Sequence, residues 1–162
     1  MIKFRAIPGT DIFSGTLNHD NIEFDFVFPN NARRNAVTAP LIIAEVLSLE
    51  FDIKSGRVLY VWGYGPNSSW KAGDVHKPTP TSGSVFVNLD SILADNASLP
   101  VDSSVGIPLS PLDKAELVFD KKTGWFRVGE GNTESLIQIA DGIILGIEGD
   151  RLTTVLLKPI LN

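Results

Sequence analysis

Apolar side chains return at every second position along much of this chain, a period that strands satisfy and helices do not. Residues 22–28 place Ile22, Phe24, Phe26 and Phe28 on one face and Glu23 and Asp25 on the other, which predicts a strand with one side in a core. Residues 46–54 do the same, with Leu47, Leu49, Phe51 and Ile53 set against Ser48, Glu50, Asp52 and Lys54. No segment of helical length carries a sustained i, i+3, i+4 apolar stripe, so the chain reads as all-β.

A ten-residue phrase occurs twice. Leu49-Glu50-Phe51-Asp52-Ile53-Lys54-Ser55-Gly56-Arg57-Val58 returns as Leu117-Val118-Phe119-Asp120-Lys121-Lys122-Thr123-Gly124-Trp125-Phe126, with five positions identical. Each copy predicts a hairpin whose glycine takes positive φ before the return strand. The pair leaves room for a weak internal duplication around residues 46–63 and 114–129, inside a single β domain spanning residues 1–162. Further on, Asp141-Gly142 and Gly149-Asp150 punctuate residues 135–157 into a three-strand meander, and Pro159 marks where its last strand stops pairing. Residues 84–89 form a shorter strand, followed by one helical turn capped by Asp90. A helix over residues 40–47, capped by Thr38, is the main rival to a strand there. About ten short strands with little helix predict an antiparallel β-barrel or a two-sheet sandwich.

Composition removes several classes of function. The 162 residues include no cysteine, so disulfides, thiolate zinc sites and cysteine nucleophiles are excluded, and the cytoplasm is the economical location. No signal-like apolar stretch follows the basic N-terminal residues. The longest apolar run, residues 39–46, is interrupted by Pro40 and Glu45 and falls far short of the roughly 18 residues of a membrane span. A net charge of −5 disfavours nonspecific binding to nucleic acid or anionic membranes. Arg33-Arg34, the one adjacent arginine pair, has the donors to grip a carboxylate or phosphate, although such neighbours are usually solvated. Gly63-Tyr64-Gly65 and Gly129-Glu130-Gly131 lack the rest of a phosphate-binding motif and read as turn glycines. Asp90, Asp95, Asp102 and Asp113 lack the spacing of a calcium loop, and two histidines are too few to predict a metal site, so no cofactor is expected.

Candidate chemistry concentrates in the long loop between Tyr64 and Gly83. Trp62, Tyr64 and Trp70 form a stacking platform on one reading, with Asn67, Lys71, Asp74 and His76 as hydrogen-bonding groups around a sugar ring or flat heterocycle. On the plainer reading the aromatics close one end of the core. Asp74/His76 and His19/Asp20 are the two candidate proton-transfer pairs, each without an identifiable third group. The leading expectation is a non-catalytic binding or protein-interaction module. A carbohydrate or small-ligand binder using residues 62–76, and an enzyme using an Asp/His pair, are the alternatives. Apolar residues on strand faces leave room for a homodimer.

Overall fold

The computed structural model describes residues 1–29, 37–96, 106–131 and 135–162; Arg33, Arg34 and Asp102 lie outside them. The strands are β1 (Phe4–Pro8), β2 (Thr16–His19), β3 (Glu23–Val27), β4 (Thr38–Ile43), β5 (Leu47–Asp52), β6 (Val58–Tyr64), β7 (Lys71–Ala72) and β8 (Thr81–Val87). After helix α1 (Leu89–Asn96) come β9 (Ile107–Pro108), β10 (Leu117–Phe119), β11 (Phe126–Gly129), β12 (Ser135–Ala140), β13 (Ile143–Glu148), β14 (Arg151–Leu157) and β15 (Ile160–Leu161). They form two sheets, ordered β1-β8-β12-β13-β14-β11-β10-β7 and β15-β2-β3-β6-β5-β4-β9. The architecture is therefore a sandwich and not a closed barrel. Its hairpins are antiparallel, while β7–β10, β8–β12, β4–β9 and β2–β15 pair in parallel.

The core is the contact between the two sheets. Phe24, Phe26, Leu41, Leu49 and Phe51 from the seven-stranded sheet join Val85, Phe126, Leu145 and Val155 from the other in one cluster, all fully buried. Phe24 and Phe126 meet edge to face across the sandwich, with ring centroids 5.1 Å apart. Burying each such side chain contributes about 1.5–3 kcal/mol before the entropy of ordering is subtracted.

Both copies of the repeated phrase fold into the same turn, one in each sheet. Asp52 N–H donates to Arg57 O and Gly56 N–H to Asp52 O, both at 2.8 Å; Asp120 N–H donates to Trp125 O at 3.0 Å and Gly124 N–H to Asp120 O at 2.8 Å. The glycines sit at φ 81° and 79°, a conformation that other residues adopt only with strain. In each turn the aspartate accepts the N–H of the lysine two residues on, at 2.8 Å.

Several local expectations are corrected. Ile22 is 54% exposed, because Asp20 Oδ1 accepts the N–H groups of Ile22 and Glu23 and holds Ile22 in a turn outside the strand. Ser48 and Glu50 are buried on the supposedly wet face of β5, since Glu50 lies opposite the buried Pro40 and Tyr60 and accepts a hydrogen bond from Thr38 Oγ1 at 3.0 Å. Helix α1 starts before Asp90, and its cap is Asn88, whose Oδ1 accepts Ser91 N–H. Residues 38–43 form a strand that ends in Ala44 and Glu45, both at positive φ. That turn is held by hydrogen bonds from Ala44 N–H to Leu112 O and Glu45 N–H to Asp113 O. The strands beyond the expected ten include β7, β9 and β15, each only two residues long and too short for periodicity to reveal.

Candidate functional site

The first four residues of β6, Tyr60 among them, are all buried, and only from Val61 onward do its residues alternate between core and solvent. Val61 and Gly63 point inward, so Trp62 and Tyr64 point out, 40% and 59% exposed. Gly63 separates them at φ 126°, and a Cβ there would stand 2.7 Å from Val46 O; it is a close-approach glycine within a strand, not the turn glycine expected from Gly-x-Gly. Register sets Glu23 opposite Tyr64 and Ser48 opposite Trp62, and Asp25 is the next exposed residue of β3 after Glu23, just past the last paired residues, Phe24 and Gly63. One exposed carboxylate thus faces Tyr64, and a second follows it two residues along the same face of β3.

Trp70 goes the other way. Its ring packs against Phe126, His19 and Phe119 with centroids 4.6–4.9 Å apart, and its Nε1 donates to Gly65 O at 2.8 Å. The three expected platform residues are therefore divided between the outer surface and the end of the core. Asn67 is exposed in a short 3-10 turn, and Lys71 pairs with Glu116 Oε2 at 3.0 Å. Tyr64 and Lys71 do meet, on a groove of about 290 Å³ that they share with Glu45, Val46, Lys114 and Leu117.

Residues 73–80 run as an extended strap along the outer face of the eight-stranded sheet. Val75 is its anchor, buried among Trp125, Ile144 and Leu156. The second copy of the repeated turn grips both backbone groups of Val75: its N–H donates to Asp120 Oδ2 at 2.9 Å, and its carbonyl accepts from Thr123 Oγ1 at 2.8 Å. These N–H donors, Val75 first and Lys122 second, hold the Asp120 carboxyl below its ordinary pKa. With Val75 inward, Asp74 and His76 share the exposed side, as an extended spacing of two requires. Among the described residues no hydrogen bond joins them; Asp74 offers its backbone carbonyl to Arg127 Nη1 at 3.1 Å.

His19 is fully buried and both of its nitrogens are committed. Nδ1 accepts Asn21 N–H at 3.1 Å, so Nε2 carries the proton and donates to Gly65 O at 2.7 Å. The Asp20 carboxylate accepts the N–H groups of Glu23 and Ile22, which, in that order, lower its pKa. His19 therefore has no free nitrogen for proton transfer, and the exposed Asp20 uses Oδ1 for the two backbone N–H groups and makes no hydrogen bond to the imidazole. Among the described residues no three His, Asp or Glu side chains gather as a metal ion needs. No described helix is long and apolar enough to cross a membrane.

Glu23 and Val46, exposed beside Tyr64, and Asp25 and Val27 further along β3 lie outside residues 62–76, where sequence alone concentrates the candidate chemistry. The signal was present in the polar half of the same alternation that located β3. No protein-family model matches the chain, and no curated protein matches it.

Proposed function

We propose that this protein is a non-catalytic interaction module that binds a protein partner through the outer face of its seven-stranded sheet. One observation carries the reading: Trp62 and Tyr64 stand side by side on that face at 40% and 59% exposure, with Val27 and Val46 also about half exposed there. Clustered exposed aromatics are costly in water and typify interface centres. The Asp/His pairs give no competing support, since His19 and Asp20 are engaged in backbone hydrogen bonds and Asp74 is not bonded to His76. A cysteine-free, acidic chain suits the cytoplasm.

A second reading is favoured by the groove beside Tyr64, whose volume of about 290 Å³ and ring of lysines and glutamates suit a small polar ligand such as a monosaccharide. The two readings separate in one experiment, quantitative affinity capture from lysate with the wild type and with the Trp62→Ala/Tyr64→Ala double variant. A protein set retained by the first and lost by the second supports the interaction module. Identical capture by both contradicts it.

A further inference from the structure

Charge is distributed unevenly between the two sheets. The seven strands of the aromatic-bearing sheet contain the exposed Glu23 and Asp25, the buried Glu50 and Asp52 at the turn, and no lysine or arginine; Lys71 and Lys114 approach Tyr64 from outside this sheet, on the groove beside it. The eight strands of the other carry Arg5, Lys71, Arg127 and Arg151 against a single acid, Glu148. Glu23 and Asp25 are exposed and form no ion pair among the described residues, whereas Lys71 is already matched to Glu116.

Resting on the interaction reading above, we infer that the partner of this face is a cationic protein segment whose arginine or lysine side chains sit over Trp62 and Tyr64 and pair with Asp25 and Glu23. An aromatic face beside a carboxylate suits a guanidinium or ammonium group: the ring attracts the cation, its flat surface covers the aliphatic stem, and the carboxylate accepts the N–H donors. Val27 and Val46 flank the aromatics and fit apolar side chains alternating with the cations, so an extended strand matches the pattern. A second copy of this chain fits poorly, because pairing the same face about a two-fold axis sets carboxylates against carboxylates.

The test uses two synthetic decapeptides, one alternating arginine with valine and one alternating glutamate with valine, titrated into the full chain while its tryptophan fluorescence is followed. The arginine peptide binds, the glutamate peptide does not, and added salt weakens the complex. Trp62→Ala weakens binding about two- to fivefold, as for an exposed cation–π contact, and Glu23→Gln/Asp25→Asn about tenfold. For Trp62→Ala the titration is read by calorimetry. All three substitutions change exposed side chains, and an unchanged thermal midpoint verifies folding. Failure of the arginine peptide to bind at millimolar concentration, or binding indifferent to Glu23→Gln/Asp25→Asn, overturns the cationic partner. If the capture experiment still depends on Trp62 and Tyr64, the interaction module survives that result. Self-association in sedimentation velocity that disappears in Trp62→Ala makes a second copy the occupant and also overturns the inference.

Discussion

His19 and Trp70 donate to one and the same oxygen, the carbonyl of Gly65, from His19 Nε2 at 2.7 Å and Trp70 Nε1 at 2.8 Å. Gly65 follows directly on β6, and a Cβ there would press on the Phe24 ring. This shared acceptor fixes the end of the strand that carries the exposed aromatics, and ties the solvent-facing surface to the core.

Trp70 therefore acts on stability. Trp70→Phe keeps most of the packing and loses one hydrogen bond, a cost of about 1 kcal/mol. Trp70→Ala costs about 2–4 kcal/mol, somewhat under the range for a fully buried tryptophan. Urea unfolding measures both.

Trp62 behaves oppositely. Trp62→Ala changes unfolding free energy by no more than about 0.5 kcal/mol, as expected of an exposed side chain. Its fluorescence is the accessible fraction of the signal, since Trp125 is 8% exposed and Trp70 is half-buried. With Glu23 and Asp25 on this face, caesium quenching, taken relative to its quenching of a free neutral tryptophan amide, exceeds iodide quenching taken the same way; equal relative quenching would contradict the acidic surroundings.

The strap has an acid-sensitive fastening. Because backbone donors lower the folded-state pKa of Asp120 below its ordinary value of 3.8, the stability it contributes is complete above that value and is lost as pH falls through the folded-state pKa. Asp20 adds a contribution of the same sign. Stability of the wild type thus declines with acid below about pH 4, and Asp120→Asn reduces the steepness of that decline. At neutral pH the same variant speeds hydrogen exchange at the Val75 amide, and Asp52→Asn leaves that amide unchanged.

Gly63 cannot be replaced without disturbing the site. Gly63→Ala brings a Cβ within 2.7 Å of Val46 O at φ 126°, and destabilises the protein by about 1–3 kcal/mol. Binding at Trp62 and Tyr64 weakens with it, since β6 must shift relative to β5; calorimetry and thermal unfolding follow the two effects.

Much of this architecture was legible in the sequence because one face of each long strand is buried. Phe24 and Phe26, or Leu49 and Phe51, announce their strands by period alone. The repeated phrase announced two turns of one geometry, yet the decisive difference between them, that Asp120 holds Val75, depends on a strap 45 residues distant in sequence. Periodicity also says nothing of what covers the polar side of a strand, so Glu50 was expected in water and lies buried beside Thr38. The aromatic site was half legible. Alternation in β6 put Trp62 and Tyr64 on one face, but composition alone grouped them with Trp70, whose inward turn depends on the Gly65 carbonyl. Glu23 joins the site only through the pairing of β3 with β6, a long-range register that local patterning does not specify.

A partner protein seated on the Trp62–Tyr64 face shields both side chains, and oxidative footprinting reads that shielding. The purified protein is labelled with hydroxyl radicals alone and in concentrated lysate, and oxidation is read residue by residue with Leu93 and Ile7, exposed elsewhere, as internal standards. Trp62 and Tyr64 are protected in lysate relative to Leu93 and Ile7, whose oxidation corrects for radicals consumed by the lysate. Oxidation at Trp62 and Tyr64 unchanged relative to these standards would contradict a partner seated there.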